Sequence, residues 1–525
     1  MTEEQNSGSN NAKSDLQKTL ERKKEVEEPE QSQENADGSQ KENFGLPSGF
    51  IRDCAEAGGL GIGMMYAAIN KDILIDLLTG DHYRFVNPYW KQDVEKKAYN
   101  ATENVAKAFR YEARVVSKEI GKAAQDQEND HRKRLEALRD KLNKKVDKLR
   151  SQAGQNDALH FAQFCDGGLG IPGFPEHPWQ LATENKIIDL KTGRAREGRK
   201  TDYATKASPV HWQGIDAPAE LWGKTLLEIF DGDQELVDFL GRLFGYTLIG
   251  KHLEDILGVF SGAGQNGKTM IMEVVRYVLG VLAGPVPSEL LISQGKNRNS
   301  SGPSPDIMRL KGLRMAIASE TDQGQRISPG QVKWLTGGDT LVGRNPNDKY
   351  YTTFDPTHTL FLLTNHKPHA PADDFAFWRR VLLVPFELSF VDREPQASNE
   401  RRQDKHLKQK LLDEAPGILA WMVRGCLEYQ AQGLNPPNKI TQATAEYRRE
   451  EDLLADWIDQ CAVVWDDPES HSTSSSRLYE SFSDWMKEQG LRPWTSTAFG
   501  KAMSRKFNKR KSMGTPYYIG ISLQA

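Results

Sequence analysis

The chain has 525 residues, 27% of them charged and 38% apolar, with a mean hydropathy of −0.64. That is length for roughly three domains, and no window approaches the ~18 continuous apolar residues of a membrane span. The formal charge of −4 conceals a division. Residues 1–46 hold 11 acids and 6 bases, a net of −5 that leaves +1 for the remainder, while Thr495 to Ala525 contains no acid at all. Four dispersed cysteines (Cys54, Cys165, Cys426, Cys461) form no CxxC pair, which excludes a disulfide framework and a thiolate zinc ribbon and suits a reducing cytoplasm.

In chain order, residues 1–46 are rich in Glu, Gln, Ser, Asn and Lys, too polar to offset their ordering entropy, and predict a disordered acidic tail with no secretory leader. Residues 47–154 predict a small α/β unit followed by a charged helical region. Gly58, Gly59, Gly61 and Gly63 lack a preceding apolar strand and the GxGxxG spacing, so they read as a flexible turn. Leu135, Leu138, Leu142, Val146 and Leu149 form one apolar helical stripe, and the stretch Asp130–Arg150 carries a net charge of +5. That helix suits a solvated hairpin packed on its own domain, or a nucleic-acid or inter-subunit contact. Residues 155–245 contain ENKIIDLKTG, a strand–turn–strand, and paired amphipathic helices from Trp222 to Leu248; between those helices Asp231-Gly232-Asp233 reads as a turn. Strands alternate with helices over 246–390, the pattern of a parallel sheet. Residues 391–465 are helical, and 466–525 form a last compact unit after a Ser/Thr/Asp-rich linker.

The strongest chemical signal is ILGVF-SGAGQNGKT-MIMEVVRYVL. An apolar strand enters a loop of Gly262, Ala263, Gly264, Gln265, Asn266 and Gly267, then Lys268 and Thr269 open a helix, the G-x-x-x-x-G-K-T phosphate loop in its strand–loop–helix setting. Glycines let backbone N–H groups curl around phosphates at a helix N-terminus. Lys268 is then the contact to the β/γ-phosphates of ATP and Thr269 a ligand of Mg²⁺. Downstream, LKGLRMAIASE predicts a buried strand ending in Ser319-Glu320, where a carboxylate would polarise water and hold metal. HTLFLLTN ends in Asn365, an amide able to sense a γ-phosphate, and Phe377-Trp378-Arg379-Arg380 offers cations for transition-state charge on a neighbour's nucleotide.

GAGQNGKT, IASE, KWLTGGD…GR, LFLLTN and WRRVLLVPF occur in the order and approximate spacing of the superfamily 3 helicases. The chain resembles the phage and plasmid primase–helicase family, related to the poxvirus primase–helicase, over roughly residues 155–525. The resemblance implies an AAA+-like α/β core with a parallel sheet, preceded by a mainly helical domain and followed by a winged helix. It also implies a homo-oligomeric ring, usually a hexamer, with ATP between protomers and a hairpin gripping one DNA strand. Gly262, Gly267, Lys268 and Thr269 would be the Walker A residues, Glu320 the Walker B acid and Asn365 sensor 1. Arg379 and Arg380 would be the trans-acting finger and its companion, in an order the sequence leaves open. Lys333 and Gly337-Gly338-Asp339 fall in the hairpin motif, and Arg344 and Lys349 are its basic candidates for strand contact.

Ser319 precedes Glu320 where many relatives have a second acid, and no stretch has the carboxylate or zinc pattern of a primase. In the last unit, TSTAFGKAMSRKF and NKRKSMGTPYYIGISL read as a helix and a basic wing, with Lys501, Arg505, Lys506, Lys509, Arg510 and Lys511 meeting phosphates. The expectation is an ATP- and Mg²⁺-dependent replicative DNA helicase, 3′ to 5′ by resemblance, acting on single-stranded and forked DNA of a phage, prophage or plasmid in a bacterial cytoplasm. A separate primase or replication-initiation protein is an expected partner, and a membrane is not. The alternatives are a bifunctional primase–helicase and a non-motor nucleotide switch, initiator or defence protein.

Overall fold

The structure, a computed structural model, describes residues 43–293, 302–319, 325–346, 348–465, 467, 469–491, 493–512 and 515–524. The expected acidic tail and Glu320 therefore lie outside the described residues. The chain divides into two units, residues up to 177 with 197–206, and residues 178–196 with 207–525.

In the first unit a four-stranded sheet (order Tyr89–Gln92, His82–Val86, Ile73–Asp76, Gly170–Ile171) accompanies five helices longer than one turn. The glycine cluster is not a turn: Gly58–Ile69 is an α-helix entered through Gly58 at φ +66°. Its glycines serve close packing. A Cβ on Gly61 would lie 1.9 Å from the Cys54 carbonyl oxygen, and one on Gly63 would lie 2.5 Å from Phe161 Cβ. Phe161 sits on the helix Gln152–Phe164, so residues 155–177 pack with the N-terminal unit and not with the motor as the sequence suggested. The charged hairpin forms as Thr102–Gln125 and Asn129–Leu149, with Leu135, Leu142, Val146 and Leu149 buried. Part of its basic surface is used within the unit: Lys141 pairs with Glu56, Lys148 with Asp157 and Arg150 with Glu103.

The second unit is built on a five-stranded parallel sheet, in the order Val381–Pro385, Leu257–Ser261, Thr359–Thr364, Met315–Ser319, Ala283–Val286. Its strands are apolar throughout because both faces are covered. Phe260, Phe361, Leu363, Met315 and Ile317 face one core, which includes the helices Glu220–Ile229, Gln234–Tyr246 and Ala415–Gln432. Leu257, Val259, Leu360, Leu362, Ala316 and Ala318 alternate into the other. The helices expected as separate pre-motor and post-motor regions thus share one core with the P-loop helix Lys268–Leu279. The Asp231-Gly232-Asp233 turn is present, with Asp233 Oδ1 capping Gln234–Tyr246 by accepting from Leu236 N at 3.0 Å. Helix Asn438–Glu450 covers the sheet edge, where Thr444 Oγ1 accepts from the Leu383 N–H at 3.0 Å.

The last compact region begins earlier than residue 466. Trp457 on Leu453–Cys461 is fully buried against Phe482 and Phe499, and Ala462–Val464 pairs antiparallel with Ile521–Leu523. Helices Ser475–Glu488 and Ser496–Lys506 and the sheet Ser472–Ser474, Thr515–Ile519, Lys509–Ser512 complete it.

Gly63→Ala is expected to destabilise the protein by about 1–3 kcal/mol through overpacking. Helix propensity alone would stabilise it by about 1 kcal/mol, so the sign in denaturant unfolding separates a packed helix from a flexible turn.

Candidate functional site

The strand Leu257–Ser261 delivers its loop at the carboxyl edge of the sheet, beside the neighbouring strand that ends at Thr364. Open α/β sheets bind ligands at that edge. Here it opens into a cleft of about 790 Å³, lined by Gly264 to Thr269, Ser319 and Asn365. The loop needs its glycines at two points. Gly267 takes φ +87° against Ile229, and a Cβ on Gly262 would come 2.3 Å from the Phe386 carbonyl oxygen. The loop's outer wall is pinned by the Phe390 N–H, which donates to Gln265 O at 2.6 Å.

Lys268 is 6% exposed, and its Nζ donates to Asn365 Oδ1 at 2.6 Å, Gly262 O at 2.9 Å and Asn266 Oδ1 at 3.4 Å. All three acceptors are neutral. Burial lowers the Lys268 pKa. Among the described residues no carboxylate pairs with it, and the Nδ2 of buried Asn266 has no hydrogen-bond partner. A buried cation meeting neutral acceptors there, with a glycine loop at a helix N-terminus, suits a polyphosphate. The Thr269 hydroxyl lines the same cleft and could hold Mg²⁺. Glu320, next in sequence after Ser319, lies outside the described residues. Sequence reasoning missed the outer lining, which includes Ile229, Phe390, Gln403 and Leu407, because these come from distant segments with no motif.

Arg379 and Arg380 lie at the other end of the sheet. Arg380 immediately precedes Val381, which is in register with Leu257, whereas the P-loop end of the same pairing is Pro385 with Ser261. Five residues of strand, roughly 15 Å, separate them from the loop. The two differ sharply. Arg380 is buried, donating to Asp255 Oδ2 at 2.7 Å and Ala376 O at 2.6 Å, whereas the Arg379 side chain is 54% exposed and only grazes Asp255 at 3.4 Å.

The predicted DNA contacts divide into free and engaged cations. The hairpin Leu341–Gly343 with Thr352–Phe354 carries Arg344, whose guanidinium lies 5.4 Å from the Tyr351 ring centre, and exposed Lys349. Tyr350 at its tip is 81% exposed, a contact the sequence reading passed over. Lys333 pairs with Asp374 at 2.9 Å, Lys506 with Asp452 at 2.9 Å, Arg510 with Glu469 at 3.3 Å, and Arg505 with Asp373. Lys509 sits over the Tyr518 ring, and Lys501 and Lys511 are exposed.

A parallel sheet carrying a strand–glycine loop–helix at its carboxyl edge defines an α/β protein of P-loop architecture. Residues 63–231 match the family described as D5 N terminal like, and residues 449–519 match the family described as Poxvirus D5 protein-like. The two matched segments lie before and after the strands of the P-loop sheet in the sequence. A helicase-named protein of Acanthamoeba polyphaga mimivirus is 28% identical over 375 residues, covering 69% of this chain and 38% of that protein. A helicase-named protein of Frog virus 3 is 28% identical over 257 residues, covering 47% and 26%. A primase-named protein of African swine fever virus is 27% identical over 153 residues, covering 29% and 16%. The chain thus spans less than half the length of these curated relatives. All three come from large DNA viruses of eukaryotes, a different setting from the bacterial one that the resemblance implied. The apo C-terminal region of NrS-1 superposes with a TM-score of 0.46 at 11% identity, covering 88% of this chain and 99% of that one. Among the described residues no helix is long and apolar enough to cross a membrane.

Two measurements test the site. Lys268→Ala is expected to abolish the rise in Tm that ATP confers, about 2.7 kcal/mol at a hundredfold excess over Kd, while leaving the ligand-free Tm unchanged or higher. Asn365→Asp places a carboxylate on the lysine, so the ligand-free Tm should rise as the nucleotide-induced shift shrinks. At the basic surface, Asp373→Asn frees Arg505 and should tighten single-stranded DNA binding at low salt by up to about fivefold in fluorescence anisotropy.

Proposed function

We propose that the chain is the motor of an ATP-dependent DNA helicase, of the superfamily 3 type, acting in DNA replication as a ring of identical copies. The observation that carries this reading is the separation of Lys268 and Asn365 from Arg379 by the length of the sheet. A cation that far from its own cleft serves a nucleotide only if that nucleotide belongs to a neighbouring copy. The helicase and primase names of the relatives and the D5-type domains support the same class.

In this mechanism the glycine loop amides and Lys268 hold the triphosphate of ATP. Binding draws Lys268 from the Asn365 amide, which is then free to orient the attacking water, with Glu320 beside it as the general base. The Thr269 hydroxyl and Glu320 would hold Mg²⁺, which would supply charge neutralisation for the phosphates. Arg379 of the next copy stabilises the developing charge, and Arg380 is the companion that fixes the local backbone through Asp255. Arg344, Lys349 and Tyr350 on the hairpin grip one strand by phosphate contact and base stacking. The C-terminal unit acts as a winged helix, presenting Lys501 and Lys511 to DNA directly. Lys333, Arg505, Lys506, Lys509 and Arg510 reach phosphates by exchanging their present partners. Translocation runs 3′ to 5′ in a hexamer.

ATP-dependent strand separation of forked duplexes with a 3′ or a 5′ tail tests this reading. The 3′-tailed fork alone should unwind, and Lys268→Ala should eliminate it. ATP hydrolysis and DNA binding without strand separation would leave a switch or clamp instead. Arg379→Ala should keep the nucleotide-induced Tm shift yet lower hydrolysis by about a hundredfold or more. Arg380→Ala should instead lower stability by about 1–3 kcal/mol, because Asp255 loses its main partner. Template-dependent primer synthesis, if found in the same preparation, would make the chain bifunctional.

A further inference from the structure

The helix Asn438–Glu450 ends beside the loop that follows Asn365, and its last residues are tied down one after another. The Tyr447 hydroxyl donates to Pro368 O, and Arg448 Nε donates to Ala372 O at 2.8 Å. Glu450 pairs with Lys367, while Glu451 faces His369 Nδ1 at 3.2 Å and accepts from the Ala370 N–H at 3.0 Å. Arg449 differs from these neighbours: it is exposed and makes no ion pair among the described residues. With Arg379, Arg448, Trp378 and Phe375 it lines an open groove of about 520 Å³. Phe375 is 67% exposed there, although it stands beside the buried Phe377 and Trp378.

Cations near a helix C-terminus favour the helix dipole, which accounts for the charge of Arg448 and Arg449. It does not account for an exposed guanidinium, without an ion pair among the described residues and flanked by anchored neighbours, that shares a groove with Arg379 and an exposed aromatic ring. Such a groove suits an anionic, flat-sided surface. The nucleotide cleft of another copy takes that character from a bound polyanion and from Glu228 on its rim, whereas Glu273 pairs with Lys408 and Asp404 with Lys410.

We infer that the Phe375–Arg379–Arg449 groove docks on the nucleotide cleft of a second copy of this chain, with Arg449 as a second guanidinium delivered in trans beside Arg379. This rests on the reading that Arg379 serves a neighbour's nucleotide. Phe375 packs at the rim and excludes water, while the ties from Glu450 and Glu451 to the loop after Asn365 keep Arg449 in register with that protomer's own site.

The test is complementation between inactive full-length copies. Arg449→Gln is expected to lower ATP hydrolysis by about tenfold or more while retaining ATP binding by Tm shift. Mixed equally with Lys268→Ala, it should recover to about a quarter of wild-type hydrolysis, because a quarter of random interfaces join an intact P-loop to an intact trans arginine. An Arg379→Ala and Lys268→Ala mixture is the reference. Recovery there with none in the Arg449→Gln mixture would overturn the assignment of Arg449, as would Arg449→Gln hydrolysing ATP at the wild-type rate. Absence of recovery in the reference would instead overturn the trans reading of Arg379, and the groove assignment would fall with it. Phe375→Ser, which alters no charge, should weaken self-association in sedimentation. An unchanged oligomer distribution would remove Phe375 from the docking surface.

Discussion

The carboxyl edge of the P-loop sheet depends on a single buried cation. Lys268 is almost wholly withdrawn from water, yet among the described residues its ammonium meets two amide oxygens and a backbone carbonyl and no carboxylate. Holding a charge there is costly, and the surrounding fold bears that cost because a polyanion can restore the balance. The glycine loop is shaped around the same need. Side chains at Gly262 or Gly267 would strike Phe386 or Ile229, the elements that keep the loop against the sheet.

The sheet supplies the rigidity that such a site requires. With apolar side chains alternating into two separate cores, no strand can slip by one residue without exposing one set and burying the other wrongly. That register fixes Asn365 against Lys268 at one end and Arg380 against Asp255 at the other. The Lys268–Asn365 and Arg380–Asp255 pairs are therefore held at opposite ends of one stiff element.

The basic residues show how weakly charge alone specifies a partner. Asp373 and Asp374, at the head of the short helix carrying Phe375 to Trp378, take one cation from the hairpin motif and one from the C-terminal region. The Arg505–Asp373 pair is exposed and contributes little, whereas Lys333–Asp374 is half-buried. Lys349, Lys501 and Lys511 form no ion pair among the described residues.

The P-loop, the buried strands and the Asp231-Gly232-Asp233 turn were legible in the sequence because each depends on local rules: spacing, apolar runs and turn residues. The glycines at 58–63 were misread because Gly59 and Gly63 admit Phe161, some hundred residues downstream, and Gly61 admits the Cys54 carbonyl of a preceding helix, packing that no local pattern reveals. Domain limits moved for the same reason: the Trp457 side chain is apolar in any context, and only its burial against Phe482 and Phe499 assigns it to the C-terminal core. The difference between Arg379 and Arg380 is likewise invisible in two adjacent identical letters. It arises because one guanidinium turns inward to Asp255 and the other outward. The sequence by itself determined which chemistry the chain can hold, since motif residues act within a few positions of one another. Tertiary structure alone decided which cations are free to meet a partner, because burial and pairing are properties of residues distant in the chain.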